Sequence, residues 1–234
     1  MKPFRFKQFE VMQHPKVFKV GTDACILGAL ARIGEATSIL DVGTGSGVVA
    51  LMCAQRNSKA KILGVDSNHF SVELATKNFS DSIFSDRLSC RNLDLLADVL
   101  PHLKFDHIIC NPPFFANGIQ SINNHKAQAR HESENGLSRF LAKFQSLLTN
   151  TGKITMILPQ NRMQECAEMA QIRQLFASAL IHIRPFSHRP PNRIVVELAK
   201  SNQKSVERDF TLYQSEQLLS KQATYLLEPF YLHL

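Results

Sequence analysis

The segment Asn111-Pro112-Pro113-Phe114 holds residue types that can do chemistry together. Asparagine supplies a neutral side-chain acceptor, and the carbonyl of the proline that follows can supply another. Consecutive prolines fix φ and push the residue before each out of the helical region, so the acceptors are preorganised. Such a pair suits the amino nitrogen of a base, a poor nucleophile because its lone pair is delocalised into the ring. Accepting its hydrogens holds the nitrogen nearer tetrahedral geometry, with the lone pair aimed at an electrophile. Phe114 adds a ring on which an extruded base can stack, a contact worth roughly 1–3 kcal/mol. Asn and Pro are also ordinary residues of a strand-ending turn, so position decides what the segment means.

A second constellation lies upstream, in Asp41-Val42-Gly43-Thr44-Gly45-Ser46-Gly47. Gly43, Gly45 and Gly47 can take positive φ and let a ligand lie close to the backbone. Asp66 follows about 20 residues on, where a carboxylate can accept hydrogen bonds from two ribose hydroxyls. Dinucleotide cofactors want G-x-G-x-x-G, with helix N-terminal amides meeting a pyrophosphate. Here the spacing is G-x-G-x-G, and Val48 stands where the last glycine would fall. Asp41 would repel a pyrophosphate but favours the ammonium and sulfonium of S-adenosylmethionine. The loop therefore points to that methyl donor, with S-adenosylhomocysteine as product; a ligand-free turn is the structural alternative. Asp94 can hold the exocyclic amine of the cofactor adenine, or equally cap a helix.

These residues need a frame. Residues 38–42, 61–65, 87–92, 105–110 and 152–158 read as short buried strands, and residues 48–54, 71–78 and 137–148 carry helical apolar spacing. Alternation of this kind implies a mostly parallel sheet covered on both faces. Asn111 then follows the fourth strand at the carboxyl end of the sheet, where open α/β folds bind ligands. Residues 179–185 and 194–199 read as an antiparallel pair at the sheet edge, joined by the basic turn 186–193. Residues 13–20 and the polar stretch 115–135 fit neither strand nor helix; long loops tend to be functional or disordered. There is no internal repeat.

The 234 residues are 44% hydrophobic, enough for a full core, and one folded body is expected. A formal charge of +7 raises the chance of a polyanionic partner, with nucleic acid ahead of a membrane surface. No apolar run approaches the roughly 20 residues that span a bilayer, and MKPFRFKQFEV lacks the apolar stretch of a signal peptide, so a cytoplasmic enzyme is expected. Five scattered cysteines, with no C-x-x-C pair, read as small buried hydrophobes, and no metal is expected.

At this point the chain resembles the class I, Rossmann-like amino methyltransferases, and more closely the bacterial tRNA(Val) adenine-N6 methyltransferase family. Besides DVGTGSG and NPPFF, the resemblance rests on residues 18–28, on Ala129-Arg130-His131 and on residues 225–232. It implies one α/β domain with a mostly parallel seven-stranded sheet, an antiparallel edge strand and helices on both faces. Residues 1–36 would form a leader and helix packed on the cofactor site, and residues 37–234 the Rossmann-like core. Thr22 and Asp23 would contact the methionine portion of the cofactor; read from the residues alone, 24–31 is an apolar helix capped by Thr22 or Asp23. The implied target is adenine 37, beside the anticodon of valine tRNA, converted to N6-methyladenine by a monomer. Relatives often carry Tyr where this chain has Phe114, which keeps the stack and loses any hydroxyl contact.

An anticodon loop is single-stranded, so its base can be splayed out at modest cost. Arg130, His131, Arg184, His188, Arg189 and Arg193 are the candidates for its phosphates, although each alone also reads as a solvated cation. Two other enzymes share the chemistry: a protein-glutamine N-methyltransferase, whose amide poses the same lone-pair problem, and an rRNA guanine-N2 methyltransferase. A non-catalytic RNA-binding module is a third class, against which the intact Asn111 and glycine loop count.

Overall fold

A computed structural model describes residues 2–100, 102–112 and 126–233, the side chains of residues 126–135 excepted. In chain order its elements are β1 Phe4–Arg5, β2 Glu10–Val11, α1 Thr22–Leu30, β3 Ser38–Val42, α2 Val48–Arg56, β4 Lys61–Asp66, α3 His69–Ser80, β5 Leu88–Asn92, β6 Phe105–Cys110, α4 Lys126–Leu147, β7 Leu148–Pro159, α5 Met163–Ile172, β8 Phe176–Phe186, β9 Arg193–Ala199, β10 Val206–Ser215, β11 Leu218–Leu219 and α6 Lys221–Leu227.

Burial on both faces explains why β3 carries apolar side chains, Ile39, Leu40 and Val42, on both of its sides. Ile39 packs with α1, α2 and α6, whereas Leu40 and Val42 point the other way into the core beneath α4 and α5. Strands β5, β4, β3, β6 and β7 are parallel neighbours in that order. The chain moves outward from β3 to β5, then returns to lay β6 on the opposite side of β3. That reversal leaves a crevice at the carboxyl ends of β3 and β6, the position at which doubly wound sheets take ligands.

Several expectations are corrected. The sheet has nine strands among the described residues, in the order β11-β10-β8-β9-β7-β6-β3-β4-β5, rather than seven. The antiparallel pair β8 and β9 is not at the edge, because β9 is inserted between β7 and β8 and β10 lies parallel against the far side of β8. Only Phe210 and Leu212 of β10 are buried, too few to mark a strand by pattern. Helix α4 begins at Lys126, inside the stretch expected to be a loop. Its first turns are good helix formers such as Lys, Ala, Gln and Arg, but its sequence carries no large apolar residue before Leu137, so periodicity has nothing to register there. Helix α1 is capped by Gly21 with no side-chain cap, because Thr22 lies inside the helix and the Asp23 carboxylate is bound to Arg193.

The chain ends meet. Phe6 bridges to Tyr231, the Lys7 N–H donates to the Phe230 carbonyl at 2.7 Å, and Phe4, Phe6, Phe9 and Tyr231 form an aromatic cluster. At the amino end of the sheet, the buried Glu197 carboxylate accepts the Arg32 guanidinium that follows α1, the Ser178 hydroxyl at 2.7 Å and the Lys153 ammonium at 3.1 Å. Burial alone would raise this carboxyl; those partners more than offset it and hold it below the ordinary value.

His107, at 1% exposure, sits near this cluster with Nε2 2.8 Å from the Thr155 hydroxyl. Burial lowers its pKa from 6.5 to about 4, so below pH 6.5 the unfolded chain takes a proton that the folded one refuses. Stability from this residue is complete above pH 6.5 and is lost as the pH falls towards 4. Urea denaturation of wild type and His107→Gln at pH 7 and pH 4 should therefore show their stability difference moving by about 3 kcal/mol in favour of the variant at acid pH. A constant difference would mean that His107 titrates normally.

Candidate active site

The loop after β3 is built for close approach. Gly43, Gly45 and Gly47 have φ of +70°, +56° and +81°, a region that side chains resist. At Gly47, the N-cap of α2, a Cβ would also fall 2.4 Å from the Phe79 ring, so glycine is what lets α3 pack there. A Cβ at Gly43 would meet nothing within 4 Å, because the turn faces open space. The N–H groups of Gly43 and Thr44 donate to the Val65 carbonyl at 2.9 and 3.1 Å, pinning the turn to the neighbouring strand.

Two carboxylates underlie this turn in different surroundings. Asp41 is 2% exposed and accepts the Thr44 hydroxyl at 2.7 Å and the Ala50 N–H, tying the turn and the start of α2 to β3. Burial pushes its carboxyl up to about 6 against those hydrogen bonds, and the charge of Asp66 adds to the rise. Asp66 is half-buried at the end of β4; one oxygen accepts the Gly45 N–H at 3.0 Å and the other the Asn68 N–H at 2.9 Å. Each oxygen keeps a lone pair for a ligand. Asp94 opens a single turn after β5, its carbonyl accepting the Ala97 and Asp98 N–H groups at 3.1 and 2.7 Å, so what it caps is that turn rather than a helix. Its Oδ1 accepts the Leu96 N–H at 3.0 Å.

Asn111 leaves the end of β6, where Cys110 is paired with Val42 of β3. It is half-buried, and among the described residues its carboxamide makes no hydrogen bond. Burial raises the adjacent Cys110 thiol, which stays protonated and inert. Asn111, Pro112, Gly43, Gly45, Asp41, Asp66 and Asp94 line one cavity of about 940 Å³, whereas Gly47 does not line it and serves the packing of α2 and α3. Thr22, Asp23 and the segment 15–19 line it too, which joins the residues before α1 to the same site. Pro113 and Phe114 lie outside the described residues. So do the side chains of Arg130 and His131, whose backbone belongs to α4.

The remaining basic candidates differ among themselves. Arg193 Nε donates to Asp23 Oδ2 at 2.9 Å, and Arg184 pairs with Asp209 of β10 at 2.8 Å. His188 stacks on Phe186 with ring centroids 5.6 Å apart, and Arg189 is exposed with no ionic partner among the described residues. Sequence reasoning missed the Arg193–Asp23 pair, whose members are 170 positions apart. It also missed Asn78. This buried side chain accepts the Met12 N–H at 2.8 Å and donates to the Met12 and Ser46 carbonyls at 3.2 and 2.8 Å, fastening the N-terminal segment to the glycine turn. An asparagine beside Ala75 and Phe79 on a buried helix face was the available signal.

A family model described as "Methyltransferase small domain" matches residues 8–182. The chain belongs to that family. It is 37% identical over 231 residues, 99% of this chain and 96% of the other, to a Vibrio campbellii protein named tRNA1(Val) (adenine(37)-N6)-methyltransferase. A protein of the same name from a Flavobacteriaceae bacterium is 36% identical over 95% of each chain. The crystal structure of "a predicted O-methyltransferase" from Agrobacterium tumefaciens has the same fold, with a TM-score of 0.67, 18% identity and coverage of 89% of this chain and 96% of that one. S-Adenosylmethionine is the methyl donor that the family and its relatives imply, and the cavity suits it. The open backbone at Gly43, the Asp66 carboxylate and the negative charge of Asp41 match a nucleoside carrying an ammonium and a sulfonium. Among the described residues no group of His, Cys, Asp and Glu could hold a metal ion, and no helix is long and apolar enough to cross a membrane.

The raised Asp41 carboxyl gives a pH signature. Its negative charge, which favours the ammonium of S-adenosylhomocysteine, is lost as the pH falls through about 6. Calorimetric titration should show affinity weakening severalfold from pH 7.5 to pH 5. Asp41→Asn should bind weakly at both. A flat wild-type profile would show that no titration of Asp41 in this range is coupled to binding.

Proposed function

We infer that the chain transfers the methyl group of S-adenosylmethionine to the exocyclic N6 amine of adenine 37, beside the anticodon of tRNA(Val). The observation that carries this reading is near full-length similarity, 37% over 99% of the chain, to a protein named for that reaction. No observation favours guanine-N2 or glutamine as the acceptor.

When bound, the cofactor supplies an electrophilic methyl group on a sulfonium. The chain's own residues hold the amine in line with it. The Asn111 side-chain oxygen accepts one amine hydrogen and the Pro112 carbonyl the other, which restores lone-pair character to the nitrogen. Neutral acceptors suffice, because the proton leaves after methylation, when the nitrogen is cationic and strongly acidic. The Asn111 carboxamide lines the cavity and has no hydrogen bond among the described residues, which supports this role. Pro113 completes the rigid segment and Phe114 stacks on the adenine. Asp66 takes the ribose hydroxyls, Asp94 the adenine amine of the cofactor, and Thr22 and Asp23 its methionine portion, with Asp41 acting by charge beneath the loop formed by Gly43, Gly45 and Gly47.

Arg130, His131, His188 and Arg189 meet RNA phosphates, while Arg184 and Arg193 do so with a carboxylate already attached. Residues 1–36 and 37–234 act as one catalytic body, metal-free, monomeric and cytoplasmic.

With labelled S-adenosylmethionine and unmodified tRNA(Val) transcript, Asn111→Ala should lose about 10²–10³-fold in kcat. Its affinity for S-adenosylhomocysteine should be unchanged. Full transfer by the variant would remove Asn111 from the mechanism. Affinity for the transcript should fall steeply with salt, each phosphate contact in a single strand adding about −0.7 to the log–log slope. Salt-independent binding would contradict phosphate contacts by the basic residues.

A further inference from the structure

Phe18 is 81% exposed although it lines the cavity that contains Asn111. The chain around it is fixed. Val17 is buried and donates its N–H to the His14 carbonyl at 3.0 Å, the Lys16 carbonyl accepts the Asn68 carboxamide at 3.3 Å, and Gly21 starts α1. A ring on an anchored segment that stands out at a cavity rim forgoes burial that its neighbour Val17 has found.

Phe70, close by, shows what the alternative looks like. Its ring is covered, with the Lys16 ammonium 4.1 Å from the centroid and His14 stacked at 5.4 Å and 15°. Among the described residues Phe18 has no ring or cation over its face. Lys16 and Lys19, both exposed, flank it in the sequence and line the same cavity. An open aromatic face with exposed lysines close by in the chain is the combination that binds single-stranded nucleic acid, the ring stacking on a base and the cations sitting against phosphate.

We propose that Phe18 is a substrate-stacking residue, its ring packed on a nucleobase of the RNA loop with Lys16 and Lys19 against the adjoining phosphates. This rests on the RNA methylation inferred above and adds a platform on the residues before α1, separate from the Asn111 segment.

The chain contains no tryptophan, so Phe18→Trp introduces a single fluorophore at this position. An anticodon stem-loop of tRNA(Val) is expected to quench its emission, and S-adenosylhomocysteine alone is expected to leave it unchanged. Phe18→Ala should raise KM for tRNA(Val) by roughly ten- to a hundredfold. Its kcat at saturating tRNA and its affinity for S-adenosylhomocysteine should each move by less than about threefold. Phe18→Tyr should restore KM. Unquenched emission on a stem-loop that filter retention shows to be bound overturns the proposal and leaves the RNA reading standing. So does a loss of cofactor affinity in Phe18→Ala with KM for tRNA unchanged. A wild-type protein that neither binds nor methylates the transcript removes both.

Discussion

Three left-handed residues within the five positions 43–47 are the constraint from which the rest of the site follows. Only glycine adopts such a backbone cheaply, and the Gly47 position has the further demand that the Phe79 ring occupy the space of a side chain. Beneath the turn, Asp41 holds Thr44 and the first turn of α2; beside it, Asp66 holds the Gly45 amide. From above, Asn78 fastens the Ser46 carbonyl to Met12 and thereby brings the N-terminal segment onto the cavity. A change in this turn would disturb the cofactor wall, the docking of α2 and α3, and the placement of the residues before α1 together.

Both signs of charge meet at the cavity. Asp41 is buried, Asp66 half-buried and Asp94 exposed along its wall, and the exposed Lys16 and Lys19 line it as well. Asn111 lines the same cavity with a neutral carboxamide, an acceptor that needs no protonation change. The Arg193–Asp23 ion pair ties the start of β9 to the first turn of α1, so the basic turn and the cofactor wall share a covalently distant but direct contact. The two surfaces are therefore positioned by one another as well as by the sheet.

The central part of this arrangement was legible in the sequence because local pattern determines it. Residues 38–42 and 105–110 are largely apolar runs followed by loop residues with few other uses, and the alternation of strand and helix puts both loops at the carboxyl end of a parallel sheet. The later strands were harder. Whether residues 194–199 sit at an edge or inside the sheet depends on β8 and β10, and β10 buries only Phe210 and Leu212 and opens with the consecutive charges Glu207, Arg208 and Asp209. Helix α4 was cut short because its first turns carry propensity without an apolar stripe. Side-chain pairs such as Arg193 with Asp23, or Asn78 with Met12, join distant segments and leave no spacing to read. Phe18 was visible as part of a motif, but its exposure at the cavity rim is a property of the fold.

The proposed acceptor is a conjugated amine on adenine, held by neutral acceptors at the end of β6. Nucleoside mass spectrometry of an unmodified tRNA(Val) transcript, incubated with the protein and S-adenosylmethionine, tests this most directly. The expected product is N6-methyladenosine at position 37 and none when that adenosine is replaced by guanosine. Methylated guanosine, or methyladenosine at another position with adenine 37 untouched, would contradict it.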